Sequence, residues 1–247
     1  MQYFQDFKKL NYQFGNESTF EVFQNITAYA DIIDSIKDDA AFYTFDQIYE
    51  GFRPDQLSQK LYGTPVYYWT FYLLNDNLRL QGWPLTNREL EEKVILEYPN
   101  TVITTRDSLT GIFKPGQTVV GSTSGSTGTI IHRNVELGQL VIEGTHNFTI
   151  APSPEQVTST FPSAGGSTTE SIGLVSFSKE HLAAHHYINA ANEIVDIDPT
   201  VGPGAQLTEI TNFQNYFNEN EALRSIKTIK PDLVAELASS FKRAIRS

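Results

Sequence analysis

The sequence predicts an α+β fold, with short helices in its first part, antiparallel strands in its middle and an amphipathic helix in its last part. Residues 53–83 carry clear stop and start signals for two helices. Residues 101–150 alternate β-branched residues with glycine and serine turns, which is typical of several short strands. Apolar residues recur at helical spacing after Pro231, so a final helix is also predicted.

Composition limits the kinds of protein that this chain can be. Hydrophobic residues make up 40% and charged residues 19% of the 247 positions, which indicates one or two ordered domains. No apolar run approaches the ~20 residues of a membrane span, and residues 1–25 lack the apolar block of a signal peptide, so we expect neither a membrane segment nor export. The absence of cysteine excludes disulfides, thiol nucleophiles and thiolate metal sites.

Charge is distributed unevenly along the chain. The net charge of −11 argues against nucleic-acid binding as the main task. Residues 1–52 hold three Lys and nine Asp or Glu, giving −6, whereas residues 217–247 hold six Lys or Arg and four acidic residues, giving +2. This asymmetry suits subunits that pair complementary surfaces. Ordinary solvated surface is the alternative interpretation.

Residues 1–40 are predicted to form an N-terminal arm. Aromatic residues are spread through this segment without a clear period. The stretch from Ile26 to Ile36 fits either a strand and turn or a helix, and we expect an extended arm with one short helix. Residues 42–45, Phe-Tyr-Thr-Phe, predict the strand that opens the next domain.

Two helices are then predicted. In the first, Leu57 and Leu61 are four residues apart on one face, and Gly63 stands where a left-handed residue ends a helix. Thr64 is placed to cap the second helix and Pro65 to occupy its first turn, with the helix running to about Asn75.

The second helix is unusually rich in aromatic and aliphatic side chains. Its apolar residues are Val66, Tyr67, Tyr68, Trp69, Phe71, Tyr72, Leu73 and Leu74. A helix of about eleven residues is only ~16 Å long. One buried stripe uses roughly half of these side chains, so the others need a further surface, and a protein partner would supply it. A plain hydrophobic core is the alternative for any one of them.

The middle of the chain changes character. Thr86 and Glu89 form a capping-box pattern that predicts a helix to about Glu97. The strands predicted after residue 101 suggest a small antiparallel barrel or sandwich. The segment from Pro152 to Thr169, rich in Ser, Thr, Pro and Gly, predicts a long loop or linker.

Two further elements are predicted towards the end. Residues 187–197 fit a hairpin that turns near Ala190–Asn192. In the final helix, one face is lined by Leu233, Leu237, Phe241 and Ile245. The cations Lys242, Arg243 and Arg246 follow at its C-terminal end, where the helix dipole favours positive charge.

Two patterns superficially suggest a ligand site. His181 and His185-His186 have a spacing that could share a metal on a helix, but Glu180 precedes the first histidine and a strand is predicted at the other two, so we expect packing or surface roles. The stretch Ser122–Gly128 resembles a phosphate-binding loop but lacks the Gly-Lys-Ser/Thr ending, so a turn or barrel loop is expected.

No arrangement in the sequence predicts an enzyme. There is no Gly-x-Ser-x-Gly elbow. The acidic pairs Asp38-Asp39 and Glu91-Glu92 are adjacent in sequence, so their side chains diverge instead of converging across a cleft. We therefore predict no catalytic residue, no cofactor and no metal.

The run from Tyr62-Gly63 through the aromatic helix to Asn75-Asp-Asn77, followed by Gly82-Trp83, resembles a LysM-type module. More narrowly, it is similar to baseplate wedge protein 53 of T4-like contractile-tailed phages, whose closing segment is also similar to residues 220–230 of this chain. The resemblance covers roughly residues 1–100 and 217–247. Residues 101–216 depart from it and are predicted to be an insertion.

The resemblance implies a domain plan and a function. The plan is an arm (1–40), a LysM-like βααβ module (41–100), an inserted β-rich domain (101–216), and a C-terminal strand and amphipathic helix (217–247). The implied function is a structural wedge subunit in the virion tail baseplate, assembled in the host cytoplasm and clamping adjacent wedges near the tail tube. The implied partners are wedge core subunits, the sheath-initiator protein and tail-tube or hub proteins, without nucleic acid or membrane.

The predicted interface is the aromatic helix with parts of the two flanking segments. Its residues are Tyr67, Tyr68, Trp69, Tyr72, Trp83, Phe241 and Arg243. Because LysM modules generally bind N-acetylglucosamine polymers, a peptidoglycan- or chitin-oligomer-binding module is the alternative function, with the same aromatic rings stacking on sugars.

Overall fold

The computed structural model describes residues 8–13, 15, 19–24, 37 and 39–246. The short helix expected around Ile26–Ile36 lies outside the described residues. Helices and antiparallel sheets are both present, which confirms the α+β class. The chain divides into two compact units, Met1–Asn87 with Glu219–Ser247 (unit 1) and Arg88–Asn218 (unit 2).

The elements of the first part of the chain are mostly short. They are β1 (Lys9–Tyr12), β2 (Glu21–Gln24), β3 (Tyr43–Gln47), α1 (Pro54–Tyr62), a 3₁₀ turn (Pro65–Tyr67), α2 (Trp69–Leu74), α3 (Asp76–Gln81) and α4 (Asn87–Glu97). The strands of the middle part are β4 (Thr101–Thr105), β5 (Thr118–Gly121), β6 (Thr127–Asn134), β7 (Gln139–Ile142), β8 (Gln156–Ser163) and β9 (Gly166–Lys179).

The rest of the chain alternates strands and helices. A 3₁₀ turn (Glu180–Leu182) is followed by β10 (Ala184–Ile188), β11 (Ile194–Val195), β12 (Thr208–Thr211), α5 (Asn212–Ala222), β13 (Ser225–Ile229) and α6 (Val234–Arg246). The helix predicted from the Thr86 capping pattern is confirmed as α4, and the hairpin predicted in residues 187–197 is confirmed as β10–β11. The helix α5 was not predicted.

Unit 1 contains two antiparallel strand pairs and the helices α1 to α3. The strands β1 and β2 pair from Lys9 with Gln24 to Tyr12 with Glu21. The strand β3 pairs with β13, a strand nearly 180 residues later, with Tyr43 opposite Ile229. Helices and strand share one core, whose buried members are Ile48, Leu57, Phe71, Leu78, Leu223 and Ile226. The first and last parts of the chain therefore fold together.

The first helix ends at the glycine that the sequence predicts. Arg53 precedes α1, and its backbone N–H donates to the side-chain oxygen of Gln56 at 3.0 Å. Gly63 ends the helix with φ of 70°, and its N–H donates to the Gln59 carbonyl. A left-handed conformation is easily adopted by glycine, so this boundary is encoded locally.

The second predicted helix ends near Asn75 as expected, but its first turn is 3₁₀ and not α-helical. The structure has a 3₁₀ turn, then α2, then a break at Asn75 and a further helix, α3. Thr64 precedes the 3₁₀ turn but makes no side-chain capping bond. Asn75 is extended, with φ of −121° and ψ of 100°, because its side chain bonds to a strand from the end of the chain, as described below.

Unit 2 is built around a closed six-stranded barrel in the order β4-β7-β6-β5-β8-β9. All of its neighbouring strands are antiparallel, so the barrel, and not the sandwich, is the correct alternative. Its core includes Ile103, Phe113, Val119, Ile130, Leu140, Ile142, Val157 and Ile172. A separate sheet of three strands has the order β11-β10-β12.

The loop predicted from Pro152 to Thr169 is largely wrong. Residues from Gln156 onwards form β8 and the start of β9, joined by the two-residue turn Ala164-Gly165. Val157 and Ser159 are buried and alternate with more exposed Thr residues, which is the period of a strand with one face inward. Threonine has high β-propensity, and register with a neighbour outweighs the loop-like composition.

Candidate protein-interaction surface

The Asn-Asp-Asn motif is a structural connection between the two ends of the chain. Asn75 is only 7% exposed. Its Nδ2 donates to the carbonyls of Phe71 and Lys227, both at 2.8 Å, and its Oδ1 accepts from Lys227 N at 2.8 Å. One amide thus satisfies both backbone groups of Lys227, much as a neighbouring strand would. This explains why the helix breaks at Asn75.

The closing segment makes a matching connection. Asn220 is 5% exposed, and its side-chain amide accepts from Leu85 N at 2.8 Å and donates to Leu85 O at 3.0 Å. Arg224 also donates to Leu85 O, and its Nε bonds to Glu221 at 2.6 Å. The asparagine and arginine that carry the resemblance in the last part therefore hold the backbone that leads into α4.

Tyr62 of the Tyr-Gly motif completes these connections. Its hydroxyl donates to the Ile229 carbonyl at 3.1 Å. Burial raises the pKa of Tyr62 to about 12, so the phenol keeps its proton and remains a donor at all physiological pH values. Tyr62, Asn75 and Asn220 thus all stabilise unit 1.

Two of the predicted interface residues contact each other inside unit 1. Trp69 is 4% exposed and Phe241 is 3% exposed, and their rings stack with centroids 5.4 Å apart. The helix α6 covers α2 here through Val234, Ala238 and Phe241, whereas Leu233 and Leu237 lie at the edge of the contact. In this structure the Trp69 and Phe241 rings leave almost no surface for a partner. The side chain of Ile245 lies outside the described residues.

Three other predicted residues form a partly exposed group that we call the aromatic rim: Tyr68, Tyr72 and Trp83. All three are half-buried against the core of unit 1. Tyr72 and Trp83 have ring centroids 5.9 Å apart. Trp83 Nε1 donates to the Phe52 carbonyl at 2.7 Å, so the indole orientation is fixed. Burial, and then proximity to Tyr68, raises the pKa of Tyr72.

The remaining two predicted residues lie apart from the rim. Tyr67 is half-buried and meets Tyr62 edge to face, with centroids 5.9 Å apart. Arg243 is exposed on α6. The structure therefore does not bring all seven predicted residues to one surface.

Exposed apolar side chains of unit 1 were missed from the sequence. Phe45 is 66% exposed on β3, Tyr49 is 54% exposed, and Leu80 is 82% exposed on α3. Phe45 lies opposite Lys227 in the strand pair and 5.6 Å from the Tyr43 ring. The alternation of apolar and polar residues in β3 predicts the opposite, an inward Phe45, because Thr44 and Asp46 alternate with Tyr43 and Phe45.

The loop that resembles a phosphate site already holds an anion of the protein itself. Glu155 is 3% exposed, and one carboxylate oxygen accepts from the backbone N–H groups of Thr123 and Ser124 at 2.8 and 2.9 Å. The other oxygen accepts from Thr149 N and the Ser124 hydroxyl. Burial opposes ionisation, but these hydrogen bonds outweigh it and lower the pKa of Glu155. A phosphate would have to displace this carboxylate.

The three histidines do not share one helix. His181 lies in a 3₁₀ turn, whereas His185 and His186 lie in β10 with Nδ1 atoms 2.7 Å apart. They border a cleft of about 460 Å³ in unit 2 that Glu136 and Asp196 also line. Within the described residues, no cluster of three or more His, Cys, Asp or Glu side chains could hold a metal ion. Burial, and then His185, lowers the pKa of His186.

The described helices are all too short or too polar to cross a membrane. Comparison with curated proteins finds no match for this chain. A protein-family comparison does find one, which covers the N-terminal segment of unit 1, α4 and β4. Residues 4–107 match the model of a phage family described as base plate wedge protein 53, and this confirms the resemblance predicted from the sequence for that part of the chain.

Proposed function

We propose that the chain is a structural wedge subunit of a contractile phage tail, in which unit 1 contacts neighbouring subunits through the aromatic rim. The observation that carries this proposal is the match of residues 4–107 to a phage baseplate wedge family. That match indicates a baseplate protein that contacts other baseplate components. The specific surface and partners are our inference.

We further propose that β3, α1, α2 and β13 form a LysM-like βααβ module. Support comes from the antiparallel pairing of β3 with β13 and from the core that both helices share with these strands. The second strand of the module would then follow unit 2 in the sequence. On this view residues 88–218 interrupt the module between its last helix and its last strand.

The aromatic rim is the favoured contact because its rings are held in place and are still partly exposed. Trp83 is fixed by its bond to Phe52, and Tyr72 packs against it. Preorganised aromatic side chains lose little conformational freedom on binding and are frequent anchors of interfaces. Burial of one such side chain is worth roughly 1.5–3 kcal/mol, so a few of them could dominate the contact.

The wedge resemblance supports the other proposed contacts. Adjacent wedges would be clamped near the tail tube, with wedge core subunits, the sheath initiator and tube or hub proteins as neighbours. Arg243, exposed on α6, would contact an acidic neighbour, while the N-terminal segment would hold another. Several separate weak contacts raise the overall affinity through effective concentration.

The alternative of glycan binding has less support from the structure. Stacking on a sugar needs an accessible ring face. Trp69 and Phe71 are buried, and Tyr67, Tyr68 and Tyr72 are half-buried against neighbouring side chains. These aromatic rings therefore pack mainly against other side chains of unit 1, which leaves little open ring face for a sugar.

The experiment is a complementation assay with the double variant Tyr68→Ala/Tyr72→Ala, followed by isolation of tail particles. We expect the variant chain to fold but to be lost from purified baseplates. Leu78→Ala is the matched control, because Leu78 is 1% exposed in the same core and its truncation lowers stability while all three rim side chains are kept.

The proposal fails if the double variant is incorporated like the wild type, or if Leu78→Ala loses incorporation to the same degree at equal stability. Binding of the purified chain to peptidoglycan, abolished by the same double variant, would instead favour the glycan-binding module.

A further inference from the structure

The β8–β9 hairpin extends beyond the strands on either side of it. The strand β8 pairs with β5 only at Val157 and Thr158. The strand β9 pairs with β4 only from Leu174 onwards. Among the described residues, the segment Gly166–Ile172 therefore pairs with β8 alone. A strand segment of this size presents a free edge about 20 Å long.

Hydrogen bonds next to this segment show which backbone groups point outward. Leu174 N donates to the Glu155 carbonyl, on the β8 side. Gly173 faces the other way, since its N–H donates to Asp107 at 2.6 Å and its carbonyl accepts from Thr105 at 2.8 Å. Backbone direction alternates along an antiparallel strand.

The same alternation can be followed towards the hairpin turn. The outward N–H and C=O groups beyond Gly173 belong to Ser171, Thr169 and Ser167. All three residues are exposed. The free edge of β9 thus offers donor and acceptor groups at three successive outward positions.

The opposite edge of the hairpin is less able to accept another strand. Its outward positions beyond β5 are Thr160 and Pro162. Proline has no N–H and is a common way to block an edge strand. The free edge of β9 carries no proline, and residues 156–169 carry no charged side chain at all. Natural edges are usually protected by such residues, so an unprotected edge indicates a pairing surface.

The Glu170 carboxylate, which lies beside this edge, is held by local hydrogen bonds. The Glu170 carboxylate accepts from Phe113 N at 2.8 Å and from Gln117 Nε2 at 3.2 Å. Its side chain lies on the same face as Ser159, the residue opposite it in β8. Glu170 therefore does not lie among the outward groups.

We propose that β9 pairs with β9 of a second copy of this chain, antiparallel about a two-fold axis at Thr169. The three outward residues, Ser167, Thr169 and Ser171, form the same series Ser-Thr-Ser in either direction along the strand. An antiparallel second copy therefore presents the same residue types at the matching positions. Thr169 then lies opposite Thr169 of the second copy, and Ser167 opposite Ser171. This register forms about six N–H···O bonds.

Charge favours this register over the neighbouring one centred on Glu170, in which the two Glu170 carboxylates would be directly opposite each other. With Thr169 on the axis, Glu170 lies opposite Thr168 of the second copy, so the two carboxylates are not directly opposite each other. Like charges at directly opposed positions destabilise a sheet. A hairpin-to-hairpin contact is smaller than the ~1,200–2,000 Å² of stable complexes, so we expect a reversible dimer.

Cysteine crosslinking tests both the contact and its register. The chain has no cysteine, so Thr169→Cys introduces a unique thiol. Directly opposed residues in a hydrogen-bonded pair have Cα atoms about 5.5 Å apart, within the range of a disulfide. We expect oxidised Thr169→Cys to migrate at twice the 27.7 kDa chain mass on a non-reducing gel.

Thr160→Cys is the matched control. Thr160 lies opposite Thr169 within the hairpin, with their hydroxyls 2.9 Å apart, but it belongs to the blocked edge. It should stay monomeric. Ser167→Cys alone should not crosslink, whereas Ser167→Cys with Ser171→Cys should, because those positions face each other across the axis.

Sedimentation of the cysteine-free chain gives an independent measurement. We expect the wild type to associate with rising concentration, Thr169→Lys to weaken association at least tenfold, and Thr160→Lys to behave as the wild type, with circular dichroism confirming that all three fold. A wild-type chain that stays monomeric throughout, or equal crosslinking at positions 160 and 169, would overturn the proposal.

Discussion

Replacing Asn75 with alanine should destabilise unit 1 by an amount that its hydrogen bonds predict. The change removes three bonds of 2.8 Å, to the Phe71 carbonyl and to both backbone groups of Lys227. A hydrogen bond contributes about 0.5–1.5 kcal/mol net, and partner groups left unpaired away from water cost more. We expect a loss of about 3 kcal/mol, a large share of the 5–15 kcal/mol typical of a domain.

Tryptophan fluorescence measures this loss in unit 1 alone. The chain has two tryptophans, Trp69 and Trp83, and both lie in unit 1. With a urea dependence of about 1–3 kcal/mol per M, the unfolding midpoint should fall by roughly 1–3 M. Asn77→Ala is the control, because Asn77 belongs to the same motif but is exposed. The reasoning is refuted if Asn75→Ala loses under about 0.5 kcal/mol, or if both variants lose equally.

Asn75→Asp extends the same test to pH. Aspartate keeps an oxygen for Lys227 N, but its second oxygen would face the carbonyls of Phe71 and Lys227. Burial and these carbonyls should raise the pKa of the new carboxyl above its ordinary value of about 3.9. A raised folded-state pKa means that the protonated form is favoured in the fold. The destabilisation should therefore be greatest at neutral pH and shrink as pH falls below the raised pKa.

Three further changes have defined outcomes. Phe241→Ala should shift Trp69 emission to the red and cost about 3–5 kcal/mol in urea unfolding, since the two buried rings stack; an unchanged spectrum would contradict this. Ser159→Ala should stabilise unit 2 by about 1 kcal/mol in thermal unfolding, because this buried hydroxyl has no hydrogen-bond partner among the described residues; a loss of stability would show that it has one. The pKa of Glu155 is lowered in the folded state, so its ionised carboxylate stabilises unit 2 above pH ~4.3. This stabilisation is lost as pH falls through the folded-state pKa. Glu155→Gln should be the less stable protein by circular dichroism at pH 7 and approach the wild type in acid, and a constant difference would contradict the assignment.

Elements with local signals could be predicted from the sequence. The end of α1 at Gly63 and the extent of α4 were predicted correctly, because a left-handed glycine and a capping pattern act within a few residues. The end of the second helix near Asn75 was also predicted, but its physical cause could not be predicted in this way. The extended conformation of Asn75 depends on Lys227, a residue more than 150 positions later.

The same distinction applies to strands. Composition misled the prediction for residues 152–169, where Ser and Thr form β8 and β9 because neighbouring strands complete their hydrogen bonds. It also gave no signal for α5, whose sequence contains several asparagines, weak helix formers. Strand register and tertiary contacts determine the secondary structure of such segments, and neither can be read from a few neighbouring residues.

The candidate surface stays a prediction, and the sequence did not indicate which segments cover its aromatic rings. The surplus of aromatic residues around Tyr68 predicted further packing surfaces, supplied by a protein partner. Two of those surfaces belong to the chain itself, because α6 brings Phe241 onto Trp69 and the segment after α3 brings Trp83 onto Tyr72. Which rings stay accessible depends on which distant segment covers each ring, and sequence spacing does not contain that information.

The pairing of β3 with β13 sets an order of events during synthesis. Residues 43–47 leave the ribosome long before their partner strand, Ser225–Ile229, has been made. At 5–20 residues per second, roughly 140 further residues take about 7–30 s to translate after Asn87. The barrel can fold within that interval. During the same time the core-facing sides of α1 and α2 still lack their partner strand β13. A nascent chain stalled before residue 225 should therefore be protected from protease in its barrel and cleaved in the segment that was translated first.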